Sequence, residues 1–460
     1  MTRLPTVALA LFAAATVAQA QDHTYGPESS SSNVHLLSHL PLGWKFTIAD
    51  IEIEQELSRP YVYVQRDFGP AGFDIISLKD PSRARVIYHW TIEKPELHTG
   101  RGGSDGHYLK YQGRYFYVQT FHFGQDGPES DVGAIVFDVT GLPDTSKVRE
   151  VGRIHAPDML GGYHTLFPYK HSDGRVLVFT TPRGPFSSIY DFGKFLAGDP
   201  NQGLIGKVPG MDVNGKPNGY HDYYVAYDAA ARQDKFYGAG GTYLTVYDVT
   251  KPEEPRLLTS VTGAAGVSMS HTFQATPDGR YGVSQTEYEP SPVRIWDLKP
   301  GLDGTVKTIS RPIGAWQGSW NLGSHNHEIR WPYVFVGSFE DGLQIFNMMD
   351  PTNPYTVGFY NTRSGATFSG VDLRSGLKAG DPARELPPGV TGNIYNGAWG
   401  VDVRNADGLI VVSDFKTGFW AFKMDGFDGW NGHQWGMPNI SSAQDWDNGP
   451  DGAPKAGKVS

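Results

Sequence analysis

The 460-residue chain contains no cysteine. Disulfides, thiolate nucleophiles, cysteine-ligated zinc and iron–sulfur clusters are therefore excluded. Charge of one sign is not concentrated either: 39 Lys and Arg stand against 49 Asp and Glu, a net charge of −10, and no basic cluster occurs. Such a chain offers little to a polyphosphate backbone or an anionic lipid surface, so nucleic acid and membrane are not expected partners. Beyond residue 20 no run approaches 18 apolar residues, which leaves no helical membrane span. What the chain has in excess is punctuation. Its 57 Gly and 32 Pro make up about a fifth of the residues, against an average near 12 per cent, alongside 24 Tyr, 24 Phe and 11 Trp. Many short elements joined by tight turns around an aromatic-rich core point to an all-β architecture.

Residues 1–20 read as a secretory signal, with Arg3 as the positive end, a short apolar run over 7–17 and Ala18-Gln19-Ala20 as the cleavage site. The expected mature protein begins after Ala20 and is periplasmic or secreted. Residues 21–57 are expected to be an N-terminal segment joining the fold that follows.

A β-rich motif ending in Asp or a small polar residue recurs at Ser77, Asp138, Asp191, Asp248, Asp297, Asn347 and Lys423. Alternating strands such as Tyr61-Val62-Tyr63-Val64 and Tyr333-Val334-Phe335-Val336 precede these anchors, and further strands follow several of them. Three or four strands per unit in seven units predict a single seven-bladed β-propeller over 58–424. Gly-, Pro- and Asn-rich insertions at 183–220 and 361–398 are expected to be lids, and 425–460 a Trp-, Gly- and Asp-rich tail. Segments 342–354 (Gly-Leu-Gln-Ile-Phe-Asn-Met-Met-Asp-Pro-Thr-Asn-Pro) and 243–255 (Tyr-Leu-Thr-Val-Tyr-Asp-Val-Thr-Lys-Pro-Glu-Glu-Pro) resemble the LVIVD repeat of bacterial propeller proteins. That resemblance implies the fold and little chemistry.

Histidines precede the anchors in related contexts: Asp105-Gly-His107, Gly162-Tyr-His164, Gly219-Tyr-His221, Met269-Ser-His271 and His325-Asn-His327, with Trp399 in the seventh unit. Equivalent positions of successive blades circle the central axis, so these side chains are expected to ring one mouth of the channel. His107, His164, His221, His271, His325 and His327 are the candidate ligands of a divalent transition metal, Fe, Mn, Cu or Zn. His325 and His327, two apart on a strand, share a face and are expected to reach one ion. Glu328, Asp222, Tyr220 and Arg330 are candidate catalytic groups, and Tyr163, Trp399 and Asp402 candidate substrate contacts. The plan is similar to that of propeller enzymes with histidine-held metals: carotenoid-cleavage oxygenases, selenium-binding-type thiol oxidases and oligogalacturonate-type lyases. The expected function is an exported metal-dependent oxidoreductase or lyase acting on a small organic or sugar-derived molecule. One feature leaves a different reading open. In WD-repeat propellers a histidine about 25 residues before a Trp-Asp pair is structural, and His271 and Trp296-Asp297 have that spacing. On that reading the protein is a non-catalytic propeller that binds a protein or polymer partner.

Overall fold

The structure is a computed structural model that describes residues 30–449 apart from 43–47, 68–70, 95–96, 99–101, 104, 123–130, 158, 214, 268, 277, 288–291, 319–322, 340, 363–396 and 433–442. Among the described residues, seven sheets, each with four consecutively paired antiparallel strands, form the blades of a β-propeller, and the fourth carries a short fifth strand, Thr308–Ile309, paired parallel with its outer strand. The innermost strands are Ile48–Ile53, Gly106–Tyr111, Leu166–Lys170, Asp222–Asp228, Ser270–Ala275, His327–Arg330 and Ala398–Arg404, for blades 1 to 7 in that order. Each of blades 1 to 6 takes its strands in chain order from the axis outward. Blade 7 is closed differently. Its outermost strand, Val34–Leu40, comes from the other end of the chain and pairs antiparallel with Gly418–Met424, from Val34 opposite Met424 to Leu40 opposite Phe419. Closure in this way removes the free sheet edge.

The sequence pattern explains the layering. The second strands, such as Tyr61–Arg66 and Val176–Thr180, are buried on both faces because each blade is sandwiched between two others. The outer strand Arg85–Thr91 buries little, and it carries the polar residues. The recurring anchor residue also has a physical cause. The side chains of Asp138, Asp248, Asp297 and Asn347 each accept the backbone N–H two residues further on, at 2.8 to 3.1 Å. This Asx-turn starts the connection from the third strand to the fourth.

Two expected boundaries change. The ring does not begin at residue 58, because Ile48–Ile53 and Val34–Leu40 are strands of blades 1 and 7. The span 183–220 is not an inserted lid for most of its length. Phe186–Asp191 and Leu204–Pro209 are the third and fourth strands of blade 3, joined by a helix over Phe192–Leu196, and its Gly and Pro residues serve the connections. A two-stranded hairpin, Asp212–Val213 with Lys216–Pro217, follows. Residues 363–396, nearly all of the other expected insertion, lie outside the described residues, as does the 1–20 segment. Among the described residues no helix is long and apolar enough to cross a membrane.

Candidate metal centre

Strand register decides which side chains share a height in the channel. In blades 3 to 6 the inner-strand residues Leu166, Tyr223, Phe273 and His327 pair with Thr180, Gly238, Ser284 and Val336. Those in turn pair with Ser188, Thr245, Arg294 and Gln344, each three residues before its anchor. Two residues ahead of this row stand His164, His221, His271 and His325. The same count gives Ala49 in blade 1, position 104 in blade 2 and Trp399 in blade 7. His107 is therefore not a member of this ring. It lies three residues deeper along its strand, so the equal-looking contexts in the sequence do not mark equal heights.

The four histidines form an arc. Ring centroids are 4.5 Å apart for His164 and His221, 4.2 Å for His221 and His271, and 4.2 Å for His271 and His325. The Trp399 indole continues it, 3.8 Å from the His325 ring. The backbone that delivers them is tightly constrained at blade 3, where Gly162 has φ of +67° and an added Cβ would collide with the Phe121 carbonyl. The Nε2 atoms face inward. Those of His164 and His221 are 3.0 Å apart, the spacing of two adjacent nitrogens on an ion with bonds of about 2.1 Å at right angles. Glu287, at the end of the second strand of blade 5, brings its carboxylate to 3.8 Å from His221 Nε2, 3.9 Å from His271 Nε2 and 3.9 Å from His325 Nε2. His221, His271 and Glu287 each offer a ligand atom, all within 4.8 Å of one another.

The outward nitrogens of His325 and His271 are held in the matching tautomer. His325 Nδ1 lies 3.1 Å from the Trp399 carbonyl, which can only accept, so Nδ1 carries the proton and Nε2 the lone pair. His271 Nδ1 lies 2.8 Å from Thr272 Oγ1, which donates to Asp222 Oδ2 at 3.1 Å. A hydroxyl that spends its proton on a carboxylate accepts from Nδ1–H, again leaving Nε2 bare. Burial, followed by the charges of His325, His221, His164 and His327, holds His271 well below the usual imidazole range. Neutral imidazole is the form that ligates metals.

Beneath the arc the channel narrows to a cavity of about 70 Å³ lined by carboxylates. Asp50, Asp105 and Asp222 occupy the next height, with Glu52, His107, Glu328 and Asp402 below them. Burial, then the nearby Asp105 charge, pushes Asp50 well above the carboxylate range and Asp222 to about 7. Glu52 is also raised well above its range, first by burial. His107 bridges two acids, with Nδ1 3.0 Å from Glu52 and Nε2 3.3 Å from Asp105. Burial alone would lower its pKa, but these two carboxylates hold it well above the usual range. Several of the acids also join blades. Asp402 accepts from the Ile53 N–H and Asp105 from the Leu166 N–H, both at 2.8 Å.

The other expected site residues fall elsewhere. His327 lines the cavity below the arc, but its Nδ1 lies 3.2 Å from Gln285 Oε1 of the neighbouring blade, so the strand-face argument pairing it with His325 does not bring the two onto one partner. Tyr163 is fully buried, its hydroxyl 2.7 Å from that of Tyr190, and Tyr220 donates to the Pro209 carbonyl; both brace blades and neither lines the cavity. Arg330 is also fully buried, bound to Glu328 at 2.8 Å and to the Val403 carbonyl. Glu287 escaped the sequence reading because it follows a second strand, where the histidine period gives no signal. Asp50 and Glu52 escaped it too, although Ile51-Glu52-Ile53 is the alternation of an inner strand.

No protein-family model matches the chain, and no curated protein matches it. Among solved structures it is similar to the WD40 β-propeller domain of Doa1, at 10% identity and a TM-score of 0.47, over 85% of this chain and 97% of that one.

Proposed function

We propose that the protein is a metal-dependent enzyme whose divalent transition metal is held by His164, His221, His271 and His325, with Glu287 as an oxygen ligand. The observation that carries this reading is the convergence of inward Nε2 atoms on one carboxylate, with Nδ1 of His271 and His325 engaged by oxygen acceptors. A structural histidine needs a hydrogen-bond partner; it does not need three like neighbours arranged around a glutamate. Four imidazoles and one carboxylate suit Fe, Mn, Cu or Zn and leave room for one further ligand. The bound ion would polarise a substrate oxygen or activate water or dioxygen. The chain's own residues orient the ligands: Thr272 and Asp222 fix His271, and the Trp399 carbonyl fixes His325. Blade 1 contributes only Ala49 at this height, which leaves that side of the arc to a small organic substrate. Oxidation and elimination are the reactions this arrangement supports best.

The finer assignments rest on sequence. Segments 243–255 and 342–354 support reading the blades as LVIVD-type repeats. The composition of residues 1–20 supports export to the periplasm or beyond. Metal analysis of protein purified without added metal tests the central claim. One transition metal per chain, lost in His221→Ala/His271→Ala, is expected. Metal-free protein whose melting is indifferent to chelators overturns it in favour of a partner-binding propeller.

A further inference from the structure

Asp50 differs from the other acids of the channel in how it is built in. It follows Ala49 on the inner strand of blade 1, on the side that the histidine arc leaves open. It is half-buried and lines the cavity beneath the arc. Its carboxylate reaches past blade 7 to blade 6, where Asn326 Nδ2 donates to Oδ2 at 2.9 Å. Blade 7 makes room for it with Gly400, since a Cβ added there would collide with Asp50 Oδ1. That oxygen accepts the Ile51 N–H at 2.8 Å. Asn326 directly follows His325, so the strand that supplies one end of the arc also holds Asp50.

The charges around Asp50 come from all sides. Asp105 and His107 face it from blade 2 and Asp222 from blade 4, while Glu52 on its own strand, Glu328 of blade 6 and Asp402 of blade 7 line the cavity deeper down. Cations are fewer. His107 is shared by Glu52 and Asp105, and Arg330 binds Glu328 and approaches Asp402 at 3.6 Å. Among the described residues, two cations therefore serve six carboxylates, and neither pairs directly with Asp50. An ionised Asp50 meets desolvation and the repulsion of Asp105 and Asp222; a protonated one meets neither, and its oxygens still accept from Asn326 and Ile51. A divalent ion in the arc, one height above, reverses this balance, because two positive charges close by in a poorly solvated channel favour the carboxylate.

We propose that occupation of the arc is coupled to one proton: Asp50 carries it in the metal-free protein and releases it to solvent through the mouth when the divalent ion binds. Resting on the reading of the arc as a metal centre, this coupling makes pH set the occupancy of the centre through a residue that is not a ligand. The exchange is one divalent ion in and one proton out, with no change of oxidation state. The ligands themselves add little to the count near neutral pH, since a free imidazole titrates at about 6.5 and His271 is held lower.

The test is calorimetric titration of the apo-protein with Mn²⁺ or Zn²⁺ between about pH 6 and 8, in buffers of different ionisation enthalpy, which counts the protons released. Wild-type protein is expected to release about one proton more than Asp50→Asn, and its metal affinity to rise about tenfold per pH unit until Asp50 is ionised in the apo-protein. Infrared difference spectra add a readout that a folding defect does not imitate. The wild-type apo-protein is expected to show the C=O stretch of a protonated carboxyl that metal removes, and Asp50→Asn to lack that component. Circular dichroism and melting establish that the variant is folded. Equal proton counts in wild type and Asp50→Asn overturn the proposal, as does a wild-type apo-protein without a metal-sensitive carboxyl band. Failure of both ions to bind overturns the metal reading and this coupling with it, whereas binding without proton release overturns the coupling alone.

Discussion

Replacing Thr272 by valine tests the logic of the metal centre without touching a ligand. The side chain keeps its shape and loses the oxygen that links His271 Nδ1, at 2.8 Å, to Asp222 Oδ2, at 3.1 Å. His271 then loses the acceptor that fixes its tautomer, and Asp222 loses a donor while keeping the Tyr223 N–H at 2.7 Å. Removing the outer partner of a metal-ligating histidine typically weakens metal binding 10- to 100-fold, or about 1.4 to 2.7 kcal/mol. An unsatisfied buried polar group adds a folding cost of about 1 to 3 kcal/mol. Competition of the apo-protein against a chromophoric chelator measures the first effect, and urea unfolding of the apo-protein the second. His107→Ala is the contrast. His107 lies outside the arc, so the variant is expected to retain its metal at wild-type affinity. It leaves Glu52 and Asp105 without their cation, at a cost of about 3 to 5 kcal/mol in apo-protein stability. Wild-type metal affinity in Thr272→Val, or loss of metal in His107→Ala, would refute the reasoning.

Other consequences follow from the same contacts. Glu287→Gln keeps the shape of the side chain and removes its charge, so metal affinity should fall at least tenfold with little change in the apo-protein's melting; a wild-type affinity would exclude Glu287 as a ligand. Burial holds His327 down at about 3, against 6.5 for a free imidazole, so the unfolded chain binds the proton first. Stability from this group is complete above pH 6.5 and is lost as pH falls toward 3, at about 1.4 kcal/mol per pH unit, and His327→Gln should flatten that part of the apo-protein's curve in denaturant titrations at stepped pH. Arg330→Met, which strips Glu328 and the Val403 carbonyl of their partner, should cost about 3 to 5 kcal/mol in urea unfolding and leave the metal content unchanged. Deleting residues 30–42 removes the strand that closes blade 7, and a large fall in melting temperature with a broadened transition is expected; an unchanged melt would mean that the ring does not depend on this closure.

Local chemistry made the repeat readable in the sequence. An Asp or Asn that starts a turn by binding its own backbone two residues on leaves the same trace in blades 2, 4, 5 and 6, and strands buried on both faces leave apolar runs. The seven anchors and the all-β class follow from interactions within a few residues. Four of the six histidines singled out in the sequence, His164, His221, His271 and His325, share one arc for the same reason, because one rotation relates their blades. Tertiary structure alone decided the height of each side chain in the channel, because hairpin length varies between blades and register is set by pairing across strands. That moved His107 down among the acids and His327 in between the blades, and it brought in Glu287 from a strand end that carries no repeat. It also decided what closes the molecule, since the strand completing blade 7 comes from the other end of the chain.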